Sequence, residues 1–528
     1  MKLLIRHMSF AVMFLIWGLT SPYASGQTIR LDPGKMARLG TVDERFQSYN
    51  VEMLEVTGGK FWKPYRSLAK AAAPAAGATA TPAGMDPNMY EYRAPLNLSN
   101  QRLRKLAKAL GPAYVRVSGT WANTTYFDDG RGAAVKTPPE GFGGVLTRDE
   151  WKGVIDFAGA VNAEIVTSFA FSPGTRDASG AWTPKEADKF LGSTRAMGGR
   201  IAAVEFMNEP TAAAMGGAPK GYDVAAYARD IAEFKPYLKK ASPGTIFLGP
   251  GGVGEGGAMP LPAAMGKVLS TESLLEATGP VFDALSYHYY GGVSSRCAAM
   301  VPGALTTEAA ARTSAWLSKT GTVEQFYAGL RDRYLPGKPM WVTETADAAC
   351  GGNRWASTFV DTFRYLNQLG TLAQHGVQVV MHNTLDASDY GLLDEQDFHP
   401  RPNYWGALLW RRLMGTTVLQ PGASPSTGVY VYAHCLRGVS GGVAVLAINP
   451  GETAATLDVS TAATEYVLSS REMDSGDVDL NGVTLKLGTD DSLPSIKGVD
   501  VARRAITIAP GTITFLAVPA ANNAACKL

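Results

Sequence analysis

The chain has 528 residues, more than one typical domain, so two are expected. Its 49 lysines and arginines nearly balance 47 aspartates and glutamates, which argues against nucleic acid and against a strongly acidic polymer held by bulk charge alone. A hydrophobic content of 46% supports a large core.

Residues 1–26 read as an export signal. Lys2, Arg6 and His7 form its charged start, residues 10–19 its apolar middle, and Pro22 to Gly26 supply small residues for cleavage. The alternative is an N-terminal membrane anchor, against which the short apolar run counts. No later segment is apolar enough over enough length to span a bilayer. The mature chain is therefore expected in the periplasm or outside the cell, with no membrane contact beyond the signal. Export also changes how Cys297, Cys350, Cys435 and Cys526 read, because they can form two disulfides in an oxidising compartment. No CxxC or Cys/His spacing suggests a metal site, and neither a metal nor a cofactor is expected.

Eight apolar strands follow, at residues 46–55, 113–121, 164–171, 201–208, 245–251, 282–290, 339–345 and 377–385. Most are separated by helix-like stretches. Residues 100–110 carry an Asn cap and an apolar stripe at Leu103, Leu106 and Leu110, and residues 224–240 and 358–375 are longer helices of the same kind. Eight alternating strands and helices predict an α/β fold, a (β/α)8 barrel over residues 40–414, with functional groups at the strand C-terminal ends. The Ala/Pro/Thr-rich residues 71–84 read as a surface insertion. The glycine-rich residues 251–262 lack the spacing and basic residue of a phosphate loop and read as a flexible wall of a cleft.

Beyond Met414 the pattern changes to short alternating strands at 429–433, 442–448, 456–459, 483–487 and 512–518, separated by Gly, Asn and Pro. This predicts an antiparallel β-sandwich over residues 415–528, to which residues 27–39 would add a strand. It is read as structural support, with a sugar-binding module as the alternative.

The chemistry gathers at two strand ends. Val204-Glu205-Phe206-Met207-Asn208-Glu209-Pro210 runs an apolar strand into a Glu, and Pro210 ends the strand because it cannot donate to a ladder. Pro339-Met340-Trp341-Val342-Thr343-Glu344 delivers a second Glu in the same way. Two carboxyls on two strand tips are what acid/base chemistry on a glycosidic bond requires.

Asn208-Glu209-Pro210 on the fourth strand with Glu344 on the seventh resembles the clan of retaining barrel glycosidases. Residues 111–120 (GPAYVRVSGT), Tyr287-His288-Tyr289-Tyr290, Gly351-Gly352 and Pro402-Asn403-Tyr404-Trp405 narrow the resemblance to glycoside hydrolase family 79, the heparanase and β-glucuronidase family. The resemblance implies Glu209 as general acid/base and Glu344 as nucleophile. Asn208 would bond the sugar 2-hydroxyl, Arg116 and Tyr290 would orient Glu344, and Glu52, Thr120 and His288 would contact substrate. Gly351, Gly352 and Tyr404 would take the uronic acid carboxylate, through backbone N–H groups of little bulk and a phenol. The implied activity is retaining hydrolysis of β-glucuronosyl linkages in an oligosaccharide or polysaccharide containing glucuronic acid.

Departures from heparanase bear on the substrate. Residues 251–257 offer glycines and Glu255 where a sulfate-binding enzyme should offer basic side chains, and no excised linker is evident between the second and fourth strands. The alternatives kept open are a heparanase-like endo-glucuronidase on glycosaminoglycans, a neutral-sugar glycosidase of the same clan, and a non-catalytic carbohydrate-binding barrel. Cys297 follows the sixth strand and Cys350 the seventh, so neighbouring loops bring them within reach of a bridge, with two buried free thiols as the alternative. Cys435 and Cys526 are available to each other in the sandwich.

Overall fold

The computed structural model describes residues 28–65, 82, 85–262, 266–422, 428–502 and 504–527. The expected export signal lies outside them, as do residues 71–84 apart from Pro82.

Among the described residues eight parallel strands close into a barrel. They are β1 (Gln47–Glu52), β2 (Ala113–Ser118), β3 (Ala163–Ser168), β4 (Ile201–Glu205), β5 (Ile246–Gly252), β6 (Ala284–Val293), β7 (Met340–Ala349) and β8 (Val379–His382), with β8 paired back onto β1. A helix follows each strand: α1 (Gln101–Leu110), α2 (Arg148–Val161), α3 (Lys185–Ala196), α4 (Val224–Ala241), α5 (Thr271–Thr278), α6 (Lys319–Tyr334), α7 (Phe359–Gln374) and α8 (Pro402–Leu413). This is the expected (β/α)8 barrel. The Asn100 side chain accepts from the Leu103 N–H at the start of α1, whose stripe Leu103, Leu106, Ala107 and Leu110 is buried. Thr147 and Glu150 cap α2 reciprocally, and Asn162 closes it in the left-handed conformation. Each such N-cap contributes about 1 kcal/mol.

Side chains two apart on a strand face the same way. At the barrel's lower end Tyr114, Val166, Leu248, Ala284, Trp341 and Met381 form an apolar plug, the Tyr114 and Trp341 rings lying 5.0 Å apart. Two residues further along their strands stand Arg116 on β2 and Ser286 on β6, with Glu205 two beyond Ala203 on β4. The plug therefore excludes water from beneath a charged layer, and strand periodicity alone puts that layer below the strand tips.

The C-terminal residues form antiparallel sheets. Arg38–Thr41, Met414–Leu419, Tyr430–Leu436, Val443–Asn449, Thr512–Val518 and Ala463–Ser469 lie in one sheet in that order. A smaller sheet holds Thr28–Leu31, Ala455–Val459 and Arg504–Ile508. Alternation along Val443–Asn449 serves two cores: Val443, Val445 and Ala447 face the small sheet, while Ala444, Leu446 and Ile448 join the main core with α7 and α8. The single strand expected from residues 27–39 is two strands in different sheets, and Thr28–Leu31 pairs parallel to Ala455–Val459. Of the strand expected at 483–487 only Val483–Thr484 forms.

Candidate active site

The chain leaves β4 at Glu205 and reaches Glu209 with φ 50° and ψ 65°, a left-handed conformation that costs an L-residue roughly 1–2 kcal/mol. Asn123, on the loop after β2, holds the turn. Its side-chain oxygen accepts from the Asn208 N–H at 2.8 Å and its amide donates to the Asn208 carbonyl at 3.0 Å. Both groups are buried, so these two bonds fix the direction in which Asn208 and Glu209 leave the strand. Strain held by a buried clamp next to a carboxyl is a mark of a working site.

Glu344, on β7, is held by two donors. Arg116 Nη1 donates to Oε2 at 2.9 Å, and the Tyr290 hydroxyl donates to Oε1 at 2.5 Å. The other edge of the guanidinium donates to Glu205 Oε2, from Nη2 at 2.9 Å and from Nε at 3.1 Å, and Nη2 also donates to Asn208 Oδ1 at 2.8 Å. Glu205 Oε1 accepts from the hydroxyls of Thr343 at 2.7 Å and Ser286 at 2.8 Å. One buried arginine thus links β2, β4 and β7 and ties the Asn208 turn to Glu344.

His288, on β6, completes the layer. Its Nδ1 lies 3.0 Å from Glu209 Oε1 and its Nε2 3.3 Å from Arg116 Nη2. The two Nη2 hydrogens go to Glu205 and Asn208, so Nε2 receives at most a weak shared bond, and the principal bond of the ring joins Nδ1 and Glu209 Oε1. Burial pulls the His288 pKa down, but the Glu344 charge and the bond to Glu209 outweigh it and raise it overall. Burial and the neighbouring Glu344 charge raise the Glu209 carboxyl above the ordinary range, against the opposing His288 bond and Arg116. Glu205 goes the other way. Burial would raise it, but Arg116, His288 and the Thr343 and Ser286 hydroxyls together hold it below the ordinary value. Glu205 is therefore a fixed anion, and Glu209 a carboxyl biased toward its acid form.

Glu209, His288 and Glu344 offer ligand atoms within 4.8 Å of one another, a set that could hold a cation. The Arg116 charge already lies 2.9 Å from Glu344 Oε2 and would repel a metal there, so the donor set fits proton chemistry better.

Above this layer opens a cleft lined by Glu52, Thr120, Glu209, Tyr290 and Glu344 among others. Of the residues singled out in the sequence, Glu209, Glu344, Arg116, Asn208, His288 and Tyr290 share one hydrogen-bond network, and Glu52 and Thr120 reach the same cleft. Burial, reinforced by the Glu344 charge, raises the Glu52 pKa well above the usual carboxyl value.

Tyr404 does not reach the cleft. It lies on α8, fully buried, and its hydroxyl donates to the Leu106 carbonyl of α1 at 3.0 Å. A helix of the outer ring cannot present a side chain to the strand tips when that side chain is spent on packing the neighbouring helix. The tyrosine that lines the cleft from the loop after β8 is Tyr390. Asn383 donates to both the Tyr390 oxygen, at 3.1 Å, and the Tyr290 oxygen, at 3.0 Å. Each phenol accepts from that amide and keeps its own proton to give. Tyr290 gives it to Glu344, and Tyr390 can give it to a group in the cleft.

Gly351 and Gly352 both have φ of 79°, where a side chain would be strained. An added Cβ would stand 2.8 Å from Trp62 at Gly351 and 3.0 Å from the Tyr390 ring at Gly352. Arg296 donates to the carbonyls of Cys350 at 3.1 Å and Gly352 at 2.9 Å, and the Asp389 N–H donates to the Gly351 carbonyl at 3.2 Å. In a trans peptide the C=O and the following N–H point opposite ways, so the Gly351 N–H points away from Arg296 and the Gly352 N–H away from Asp389. Cys297 is bridged to Cys350 with Cα atoms 6.3 Å apart, which pins this loop to the one after β6. Cys435 is bridged to Cys526 at a Cα distance of 5.3 Å.

Sequence reasoning missed Glu205, Asn123, Asn383, Tyr390 and Arg296. Glu205 had a signal: an acid inside the apolar run Ile201–Phe206 must be buried, and a buried charge demands a partner. Asn123 sits in a short 3-10 turn after β2, Asn383 just past β8 (which ends at His382, short of the expected 385), and Tyr390 and Arg296 in loops, none with a local pattern to mark it.

A parallel (β/α)8 barrel with two carboxyls, one just past β4 and one within β7, facing a single cleft is an arrangement that barrel glycosidases share. The solved 4-O-α-L-rhamnosyl-β-D-glucuronidase of Fusarium oxysporum shares the fold, with a TM-score of 0.59 at 12% identity over 93% of this chain and 100% of that one. Residues 93–370, more than half of the chain, match "Glycosyl hydrolase family 79, N-terminal domain", and the chain belongs to that family. Heparanase-like protein 1 of Arabidopsis thaliana is 30% identical over 379 residues, 67% of this chain and 65% of that protein. Baicalin-β-D-glucuronidase of Scutellaria baicalensis is 34% identical over 189 residues, 34% of this chain and 36% of that protein. The chain thus spans about two thirds of the first relative's length and about a third of the second's. No helix among the described residues is long and apolar enough to cross a membrane.

Proposed function

We propose that the chain is a retaining β-glucuronidase, with Glu344 as nucleophile and Glu209 as general acid/base. The observation that carries this is the unequal surroundings of two carboxyls whose oxygens lie within 4.8 Å. That spacing suits the pair roughly 5–5.5 Å apart of a double displacement and leaves no room for the water of an inverting enzyme. Glu344 receives a guanidinium and a phenol, the donors an anionic nucleophile needs, while Glu209 is biased toward the proton it must give to the leaving oxygen. In this reading Glu344 attacks the anomeric carbon as Glu209 protonates the departing oxygen. Glu209 then takes a proton from the water that releases the sugar. Asn208, held by Arg116 and Asn123, is set beside the dyad to bond the sugar 2-hydroxyl.

Tyr390, in place of Tyr404, is our candidate for the uronate carboxylate; of the turn beside it Cys350 lines the cleft, whereas Gly351 and Gly352, expected to offer their N–H groups, are buried and are not among the residues lining it. The relatives named as a β-glucuronidase and as heparanase-like support the glucuronide assignment. The two disulfides support export from the cytoplasm. Comparing 4-nitrophenyl β-glucuronide with 4-nitrophenyl β-glucoside tests the substrate class, and equal rates would reject it. A proton NMR time course tests retention, which fails if the α-anomer appears first.

Tyr390→Phe removes a charge-assisted bond of about 1.5–3 kcal/mol, so the glucuronide-to-glucoside ratio of kcat/KM should fall roughly tenfold or more. Tyr404→Phe should leave that ratio unchanged, since its hydroxyl only joins two helices. The reverse outcome would restore Tyr404 to the carboxylate site.

The pH profile follows from Glu209. An acid with a raised pKa keeps its proton to higher pH and loses it as the pH climbs through that value, so kcat/KM should fall on the alkaline side. Glu209→Gln should abolish that limb for 4-nitrophenyl glucuronide and slow methyl glucuronide, which needs leaving-group protonation, by about 10²–10⁴-fold. An alkaline limb unaltered in Glu209→Gln would count against the acid role.

A further inference from the structure

Arg296, in the loop after β6, has a side chain only 1% exposed and bonds to three other loops. Its Nε donates to the Lys63 carbonyl, in the segment after β1, at 2.9 Å. Nη1 donates to the Cys350 and Gly352 carbonyls after β7 at 3.1 and 2.9 Å, and Nη2 to Asp389 Oδ2 after β8. The Tyr65 ring covers the guanidinium at 3.9 Å, and the Tyr65 hydroxyl donates to the Gly352 carbonyl at 3.1 Å. Charge-assisted bonds of this kind are about twice as strong as neutral ones, and the planar fork fixes their directions as a lysine could not.

The loop after β8 is the one that carries Tyr390 into the cleft. Some of its anchors belong to its own stretch of chain. His382, at the end of β8, donates from Nε2 to the Tyr390 carbonyl at 2.8 Å. Arg401, just before α8, donates to the Ser388, Asp389 and Gly391 carbonyls at 2.6, 3.0 and 3.3 Å. These bonds shape the loop. Asp389 docks it on the turn after β7: its N–H donates to the Gly351 carbonyl at 3.2 Å, and its carboxylate takes the Arg296 bond. The same guanidinium holds the carbonyls on either side of Gly351, so one planar group fixes both the turn and its neighbour. Tyr390 is the next residue, and its ring lies so close to Gly352 that an added Cβ would stand 3.0 Å from Cδ1.

We propose that Arg296 is a positioning residue for substrate selection: by docking Asp389 on the Cys350–Gly352 turn, it holds the Tyr390 hydroxyl where the substrate carboxylate is bound. Arg296 is not among the residues lining the cleft, so it acts through Tyr390. The inference rests on the glucuronidase reading and on Tyr390 as its carboxylate donor, and adds the residue that sets that donor.

The test compares kcat/KM for 4-nitrophenyl β-glucuronide and 4-nitrophenyl β-glucoside in Arg296→Met, Tyr390→Phe and the double variant. Arg296→Met keeps the stem and removes the donors. It should lower the glucuronide-to-glucoside ratio several-fold, up to the roughly tenfold expected of Tyr390→Phe. In the Tyr390→Phe background the same change should move the ratio by less than about twofold, because the hydroxyl it positions is gone. Asp389→Asn weakens the docking contact alone and should shift the ratio the same way by less; if Arg296→Met does not fold, Asp389→Asn decides by the same two criteria. A folded Arg296→Met with the parental ratio would overturn the proposal. So would a loss of ratio that persists undiminished without the Tyr390 hydroxyl, the mark of a merely structural role. If the unmutated protein cleaves the glucoside and not the glucuronide, the glucuronidase reading itself fails, and the proposal with it.

Discussion

Glu344→Gln is expected to lower turnover by on the order of 10⁴-fold or more, the scale seen when a covalent nucleophile is removed. The amide has nearly the shape of the carboxylate but cannot form the glycosyl-enzyme bond. The fold should survive, because Arg116 keeps Glu205 as a fully buried counter-ion and Asn208 as an acceptor. Thermal unfolding close to that of the parent, with turnover gone, is the expected pair of results. A 2-deoxy-2-fluoro glucuronosyl fluoride should accumulate as an adduct on the peptide carrying Glu344. An adduct mapped to another residue, or a variant retaining a tenth of the parental rate, would remove Glu344 from the nucleophile role.

Arg116→Leu should produce the largest loss of stability. It leaves Glu205 and Glu344 facing each other in the barrel without the cation that links them, and removing one partner of a buried pair costs about 3–5 kcal/mol. It also frees the Asn208 turn, so turnover should collapse with stability. Part of the loss should return in Arg116→Leu combined with Glu205→Leu, which leaves fewer charges unpaired, whereas activity should not return. The non-additivity is the diagnostic. A double variant destabilised by the sum of the two single changes would mean that Arg116 and Glu205 act independently, which their bonds at 2.9 and 3.1 Å argue against.

The features legible in the chain alone are those written in neighbouring residues. Apolar runs, a proline that ends a strand, an Asn cap and a helical stripe act over a few residues each, so β4, β7 and α1 could be located before any contact was known. The same locality marked Glu209 and Glu344 as strand-end acids; Glu209 does follow β4, but Glu344 lies within β7, which runs on to Ala349. Cys297 and Cys350 were within reach of each other because consecutive barrel strands send out adjacent loops.

Tertiary structure decided what depends on chain paths between distant residues. Tyr390 and Tyr404 are both tyrosines shortly after β8, and only the course of the loop puts the first in the cleft and packs the second against α1. Glu205 announced a buried charge, but its partner lies 89 residues away on another strand, a distance no local pattern can encode. Thr28–Leu31 pairs parallel to Ala455–Val459 because the barrel carries the chain's beginning back beside its end. Arg296 joins its own loop to three others, and none of them by itself shows what it will meet. Short-range propensity set the strands, helices and carboxyls of this protein, and closure of the barrel, which alone brings its eight loops to one face, set the site's neighbours.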